Sequence, residues 1–396
     1  MRVRWQSAIA AGLAVAAWII ATRVMAASDA GALMQSRHVA RLIDVGRVPY
    51  RDFDVHSPPL AAALIWLISR LPGSVGTADT LATAIAVAVT AAAIWAIARH
   101  LRLSRWRCVL ATALVACAPV LTGALPAPQE MALTALLACG LLAGLHGRFG
   151  WMWGMLATSA ALAGAPILLF PVAALWHAVR RGRAPATRAA IVATGAVTAT
   201  VLPALLVSPT WAVHIAQFEL TRPLQNASPA AAIVRLAHLP FQPILRDGDV
   251  GIAGTAPILL GVASTGLLLL AILTILALTA RARPSDTGMV GAFGATLLAM
   301  ATFGTLVAPG HAIWLIAAAT LIAGRLGAVT AVAGALATPL VRLIPTDLMQ
   351  QASLTTTLVG ALRAATLLIA VVAAAAATAA TATRTSPRGA NPPQTA

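Results

Sequence analysis

The chain has 396 residues, of which 60% are hydrophobic and 10% charged, where a soluble domain averages about 45–50% apolar and about 25% charged residues. With a mean hydropathy of +0.87, this excludes a soluble fold and makes the membrane span of roughly 20 apolar residues the unit of counting. The net charge of +16 comes from 27 basic and 11 acidic residues, every basic side chain being arginine; in a membrane protein such an excess points to cytoplasmic loops and anionic headgroups, and no nucleic-acid partner is expected.

Arg2 and Arg4 precede a first apolar run at 6–22. Met25-Ala26-Ala27 loosely resembles a signal-peptide cleavage site. The run is longer than a usual signal core, however, and everything after it is also membrane-embedded, which favours an uncleaved first span. Further apolar runs follow at 77–98, 108–123, 131–145, 151–164, 167–179, 189–207, 255–280, 288–307, 312–324, 326–345 and 354–382. They predict an all-α polytopic membrane protein with about 10–12 transmembrane helices in one domain over 1–383, with 167–179 and 312–324 short enough to be re-entrant or buried. Cys108, Cys117 and Cys139 sit inside these runs without CxxC spacing, which suits core packing.

With the N-terminus inside, alternation of spans places Arg99, Arg102, Arg105, Arg107, Arg148, Arg180, Arg181, Arg183, Arg188, Arg281 and Arg283 on the cytoplasmic side, as the positive-inside rule requires. The same assignment sends Asp29, Asp44, Asp52, Asp54, Asp79, Glu130, Glu219, Asp247, Asp249 and Asp347 outside and leaves Asp286 inside. Two outer loops, 28–76 and 208–254, are too long for turns and too rich in aromatics, His and paired charges for disorder. The tail 384–396, rich in Pro, Thr, Gly and Asn, reads as a disordered cytoplasmic end.

The first outer loop carries the densest chemistry. Asp29 stands where hydrocarbon meets water, a costly place for a carboxylate unless it is used or paired. The stretch 31–45 mixes Leu33, Val39, Leu42 and Ile43 with Gln35, Arg37, His38, Arg41 and Asp44, the pattern of an amphipathic helix lying in the interface. Then comes Gly46-Arg47-Val48-Pro49-Tyr50-Arg51-Asp52-Phe53-Asp54-Val55-His56-Ser57-Pro58-Pro59, in which Tyr50 is the only tyrosine of the chain. Pro58-Pro59 opens a second short amphipathic helix to Arg70, proline being tolerated in a first turn.

An acid just beyond the first span, a helical segment, and then G-x-x-PYRDF-x-x-x-x-PPL before an apolar helix resemble the GT-C glycosyltransferases, with the dolichyl-phosphate-mannose-type branch as the nearest likeness. Residues 125–133 with Glu130, the stretch 211–223 and the segment 309–315 with His311 and Trp314 are similar to later outer loops and a late span entry of that family. The likeness covers most of the chain by topology, while the first-loop block alone is specific. It implies an enzyme of the plasma membrane that takes a sugar, with mannose favoured and arabinose the alternative, from a polyprenyl-phosphate carrier on the outer face and passes it to a lipid, glycan or protein acceptor. The chain departs from the family at Ala30, where a second acid is common, and at Gly164-Ala165-Pro166, where many members have Lys-Pro.

Transfer from a phosphate-linked donor needs a base for the acceptor hydroxyl and cations for the departing phosphate. By position and by resemblance, Asp29 is the candidate base; the alternative is a helix cap. Arg51 and Arg222 are candidates for the donor phosphate, since guanidinium matches phosphate oxygens bidentately; the alternative is pairing with Asp52, Asp54 or Glu219. Tyr50, Asp52, Asp54, His56, Glu130 and His311 are candidate substrate-binding residues. No resident cofactor is expected, although His56 with Asp52 or Asp54 forms a set suited to a divalent metal. For Glu130 the macrodipole of its helix is a sufficient alternative. Two other functions stay open at this point. One is a transporter or flippase of lipid-linked glycans, against which stands the lack of similar halves; the other is a catalytically inactive relative.

Overall fold

The computed structural model describes residues 2–25, 31–53, 55, 57–71, 75–122, 128–211, 213, 223–246, 249–281, 285–304, 318–344 and 353–383. Asp29, Asp54, His56, Glu219, Arg222, His311 and Trp314 lie outside the described residues, as does the tail from 384.

The architecture is the expected all-α membrane bundle. In chain order the helices are α1 (Arg2–Met25), α2 (Gly31–Asp44), α3 (Pro59–Ser69), α4 (Val75–His100), α5 (Arg105–Ala116), α6 (Ala118–Thr122), α7 (Pro128–Leu145) and α8 (Phe149–Ala163). A 3₁₀ turn (Ala165–Leu169) leads into α9 (Phe170–Arg181) and α10 (Arg183–Val207), and then come α11 (Pro229–Leu236), α12 (Thr255–Arg281), α13 (Asp286–Phe303), α14 (Gly324–Leu340) and α15 (Leu354–Thr383). Among the described residues seven helices, α1, α4, α7, α10, α12, α13 and α15, are long and apolar enough to cross a membrane. The remaining expected runs form shorter pieces. The described part of 108–123 forms α5 and α6, separated at Cys117, and 167–179 divides into the 3₁₀ turn and α9. Pro171 stands in the first turn of α9, where its missing N–H costs nothing, and so marks the start of that helix.

Small residues in the core make room for neighbouring helices and for large buried side chains. Gly144 of α7 is an example: a Cβ there would stand 2.6 Å from Trp176 Cζ3 of α9, which is fully buried. Close contact through small residues is the usual basis of packing in membranes, where lipid removes the hydrophobic drive between helices. The segment 318–322, the described part of the short run at 312–324, is fully buried. Its break before α14 is closed by buried Arg107 of α5, whose Nη2 donates to the carbonyls of Thr320 (2.8 Å), Ile322 and Gly327 (3.3 Å). Irregular backbone survives at membrane depth only when protein satisfies it in this way.

Two ends of the bundle are distinct. At one, His100 at the end of α4, Arg180 of α9 and Asp286 of α13 meet, with Asp286 Oδ2 3.3 Å from His100 Nε2 and Oδ1 paired to Arg180; we term this the basic end. At the other, the loop end, lie α2, α3 and a small cap that follows α10. The cap was expected to be ordered, and it also holds the one sheet among the described residues: β1 (Leu224–Gln225), β2 (Gln242–Arg246) and β3 (Asp249–Ala253) pair antiparallel in the order β1-β3-β2. Leu224 pairs with Ile252, and β2 pairs with β3 from Gln242–Ala253 to Arg246–Asp249. With α11, whose N-cap Ser228 accepts from Ala231 N–H at 3.1 Å, the sheet buries Leu224, Ala231, Val234 and Ile252 in a core of its own.

Candidate functional site

Helix α2 ends in a Schellman turn. Gly46 takes φ +83°, Arg47 N–H returns to Leu42 O at 3.0 Å and Gly46 N–H to Ile43 O at 3.0 Å, a left-handed position that glycine fills without strain. The chain then closes a tight turn over Val48–Phe53. Asp52 N–H donates to Val48 O at 2.9 Å, Tyr50 N–H to Phe53 O at 3.1 Å, and the Asp52 carboxylate accepts from Val48 N–H at 2.7 Å.

Within this turn Arg51 and Asp52 form a forked pair, Nε to Oδ1 at 2.8 Å and Nη2 to Oδ2 at 3.0 Å. The Arg51 hydrogen bond, with that from Val48, holds the Asp52 carboxyl down to about 2. The guanidinium is 58% exposed on its side chain and spends only one edge on Asp52, so the Nη1 side keeps donors for a second anion. Tyr50 adopts a positive φ of 71°, an uncommon backbone for a residue with a Cβ. Its hydroxyl donates to Ser57 O at 2.8 Å, its ring meets Trp211 edge to face at 5.2 Å, and burial raises its ionisation above the ordinary tyrosine value.

Helix α3 lies against α2 through one polar knot: Trp66 Nε1–H and Arg70 Nη2 both donate to Asp44 Oδ1, at 3.1 and 2.6 Å, while the Arg70 guanidinium stacks 5.3 Å from the Trp66 ring centroid. The rest of α3 is apolar nearly all round rather than amphipathic. Ala61, Ala62, Ile65 and Ile68 are buried, and Leu67 is exposed.

Under α3 runs an apolar groove of about 470 Å³, walled by α3, α4, α7 and α8 and lined by residues including Leu60, Leu64, Ile85, Val89, Ala132 and Leu136. Leu60 and Pro128, in the first turns of α3 and α7, form its rim at the loop end. Ile85 and Val89, halfway along α4, are 57% and 40% exposed, so the groove opens sideways at the depth of the spans.

Glu130 stands in the first turn of α7, but two residues on from Pro128, roughly 200° around the helix. It therefore lies away from the groove, on the side of Thr134 and Leu137, which line a small apolar void inside the bundle. The structure thus gathers Tyr50, Arg51 and Asp52 in one turn and sets Glu130 apart. Among the described residues no three His, Cys, Asp or Glu side chains assemble into a metal-binding group.

Two buried arginines that the sequence pattern did not single out brace the cap, Arg363 from α15 and Arg235 from within the cap. Arg363 of α15 is 2% exposed and donates Nη1 to Ala227 O. Arg235 of α11 donates Nη1 to Asn226 O at 3.0 Å, and burial lowers its guanidinium to about 10. The available signal was the charge of Arg363 inside an otherwise apolar run, since an intramembrane arginine must find partners.

No protein-family model matches this chain, and no curated protein is significantly similar to it.

Proposed function

We propose that this protein is an integral-membrane glycosyltransferase of the GT-C type, moving a sugar, with mannose favoured and arabinose the alternative, from a polyprenyl-phosphate carrier to a lipid, glycan or protein acceptor at the loop end, which faces outward at the plasma membrane. The observation that carries the reading is the apolar groove beneath α3, open sideways at Ile85 and Val89 and rimmed at the loop end. An isoprenoid chain cannot leave the bilayer cheaply, each CH₂ being worth about 0.8 kcal/mol. An enzyme acting on such a carrier needs a lateral apolar slot that delivers the phosphate to the interface. Immediately before this slot in the chain comes the rigid Val48–Phe53 turn, with an exposed guanidinium held in one orientation by Asp52.

In this reading the carrier's tail lies between α3, α4, α7 and α8, and the free edge of Arg51, with Arg222, receives the phosphate. Asp29, two residues before α2, takes the proton from the acceptor hydroxyl as it attacks the anomeric carbon, and the carrier phosphate leaves with the bonding electrons. Tyr50 serves by shape: its donor bond to Ser57 and its contact with Trp211 fix the turn that presents Arg51. Asp54, His56 and His311 are assigned to the sugar or the acceptor, and Glu130, from its place on α7, to a neighbouring pocket. The test is transfer. Membranes containing the protein are given radiolabelled polyprenyl-phosphate mannose or arabinose, and the label is followed into lipid or polymer.

A further inference from the structure

A second groove, of about 810 Å³, runs between α9 and α10. It starts at the basic end and has no wall in common with the groove under α3. Ala186, Ala190, Thr194 and Thr198 of α10 face Ala174 and Ala178 of α9. These small side chains leave the space between the helices empty. The stripe from Arg183 to Thr198 covers about 22 Å at 1.5 Å per residue, longer than the roughly 15 Å depth of one leaflet. Helix α10 is the least covered of the seven spans, with 11% of its apolar window buried and Ile191 and Val192 at 66% and 65% exposed.

The mouth of this slot is cationic. Arg183 lines it, and Arg181 and Arg188 lie within five residues on either side. The nearest described acid at this end, Asp286, is already engaged by Arg180 and His100. Among the described residues Arg181, Arg183 and Arg188 form no ion pair. An apolar slot deeper than one leaflet with uncompensated guanidinium groups at its polar mouth has the shape and charge of one ligand class. We propose that the α9–α10 groove binds an anionic phospholipid, with its phosphate on Arg183 and an acyl chain along the Ala186–Thr198 stripe.

The chemistry separates this occupant from its competitors. A guanidinium binds phosphate oxygens bidentately, and a phosphate without a compensating choline leaves that attraction undiminished. A second copy of the chain would bring the same patch against itself, as two-fold contacts do, and so would crowd Arg181, Arg183 and Arg188 against their equivalents. The site stands independently of the transferase reading, since it lies at the other end of the bundle and its test requires no turnover.

The experiment is lipid retention by the purified full-length protein, measured by native mass spectrometry from mixed micelles of phosphatidylglycerol and phosphatidylcholine with identical acyl chains. The wild type is expected to keep phosphatidylglycerol preferentially. Arg183→Gln should lower that retention about fivefold, the weight of one basic group near a membrane surface, and leave phosphatidylcholine unchanged. Arg105→Gln, an exposed arginine outside the groove, should change neither. Gly195→Trp fills open space in the slot and should expel both lipids while the protein stays monodisperse. Equal retention of the two lipids, equal effects of Arg183→Gln and Arg105→Gln, unchanged binding in Gly195→Trp, or a lipid-free dimer would each overturn the proposal.

Discussion

Tyr50 and Trp211 meet edge to face, ring centroids 5.2 Å apart and planes inclined at 66°. This contact joins the loop after α1 to the segment after α10, and so ties two stretches far apart in sequence to one end of the bundle. Aromatic pairs of this geometry are worth about 0.5–1.5 kcal/mol beyond the area they bury. A double-mutant cycle of Tyr50→Leu and Trp211→Leu, read by denaturant unfolding in micelles, should therefore give a coupling of about 1 kcal/mol. Additive effects would show that the two loops are held together by other contacts.

The pairing of Arg51 with Asp52 sets a pH dependence. The folded-state value of Asp52, about 2, is below its unfolded one, so its contribution is present above the unfolded value and is lost as pH falls from there through about 2. Asp52 thus stays charged across the working range, and any acid-side loss of activity near pH 4–6 belongs to another titratable group. Arg51→Gln removes the main cause and should return Asp52 toward its ordinary value, visible in a carboxylate titration. Arg51→Lys keeps the charge without the fork and should weaken donor binding by about tenfold or more, the loss of one charge-assisted hydrogen bond.

Filling the groove under α3 should act on the lipid tail and not on the chemistry. Ala132 is half-buried and lines the slot. Ala132→Trp should raise the KM for a long polyprenyl-phosphate donor while a short-chain donor analogue is used almost as before. A comparison of the two donors in detergent checks this, and equal loss with both would place the tail elsewhere.

Arg107 is structural. Its guanidinium serves three carbonyls at the break before α14, and a stranded buried carbonyl costs about 1–3 kcal/mol. Arg107→Ala should lower the thermal midpoint in micelles steeply and reduce the yield of folded protein. Arg107→Lys, with three donors but a shorter reach, should recover part of it.

The membrane class, the spans and the two ordered loops were legible in the sequence because each rests on a local rule: runs of apolar residues long enough to cross, arginines at alternate ends, prolines and glycine at turns. The helices at 31–44 and 59–69 were readable for the same reason. What the sequence could not display were contacts that depend on the fold. Asp44 meets Trp66 and Arg70 only once α2 and α3 fold back on each other. The sheet of 224–225, 242–246 and 249–253 pairs short strands separated by a helix, too brief for alternation to stand out. Glu130 and the first loop looked alike as outer-face acids, yet helical rotation turns Glu130 to the opposite side of α7. Arg363 was visible as a charge in an apolar run, but its partner, the carbonyl of Ala227, belongs to a cap more than a hundred residues earlier.

In the proposed reaction sugar is transferred from a polyprenyl-phosphate donor with Asp29 as the base. Its most direct test is label transfer by wild-type and Asp29→Asn protein at equal, verified levels in the same membranes. Asparagine caps a helix about as well as aspartate, so a structural role would survive the change, whereas loss of a positioned base typically costs about 10²–10⁴-fold in rate. The account predicts transfer by the wild type and a fall of that size in the variant. Transfer by Asp29→Asn at the wild-type rate, or none by folded wild-type protein from either labelled donor, would contradict it.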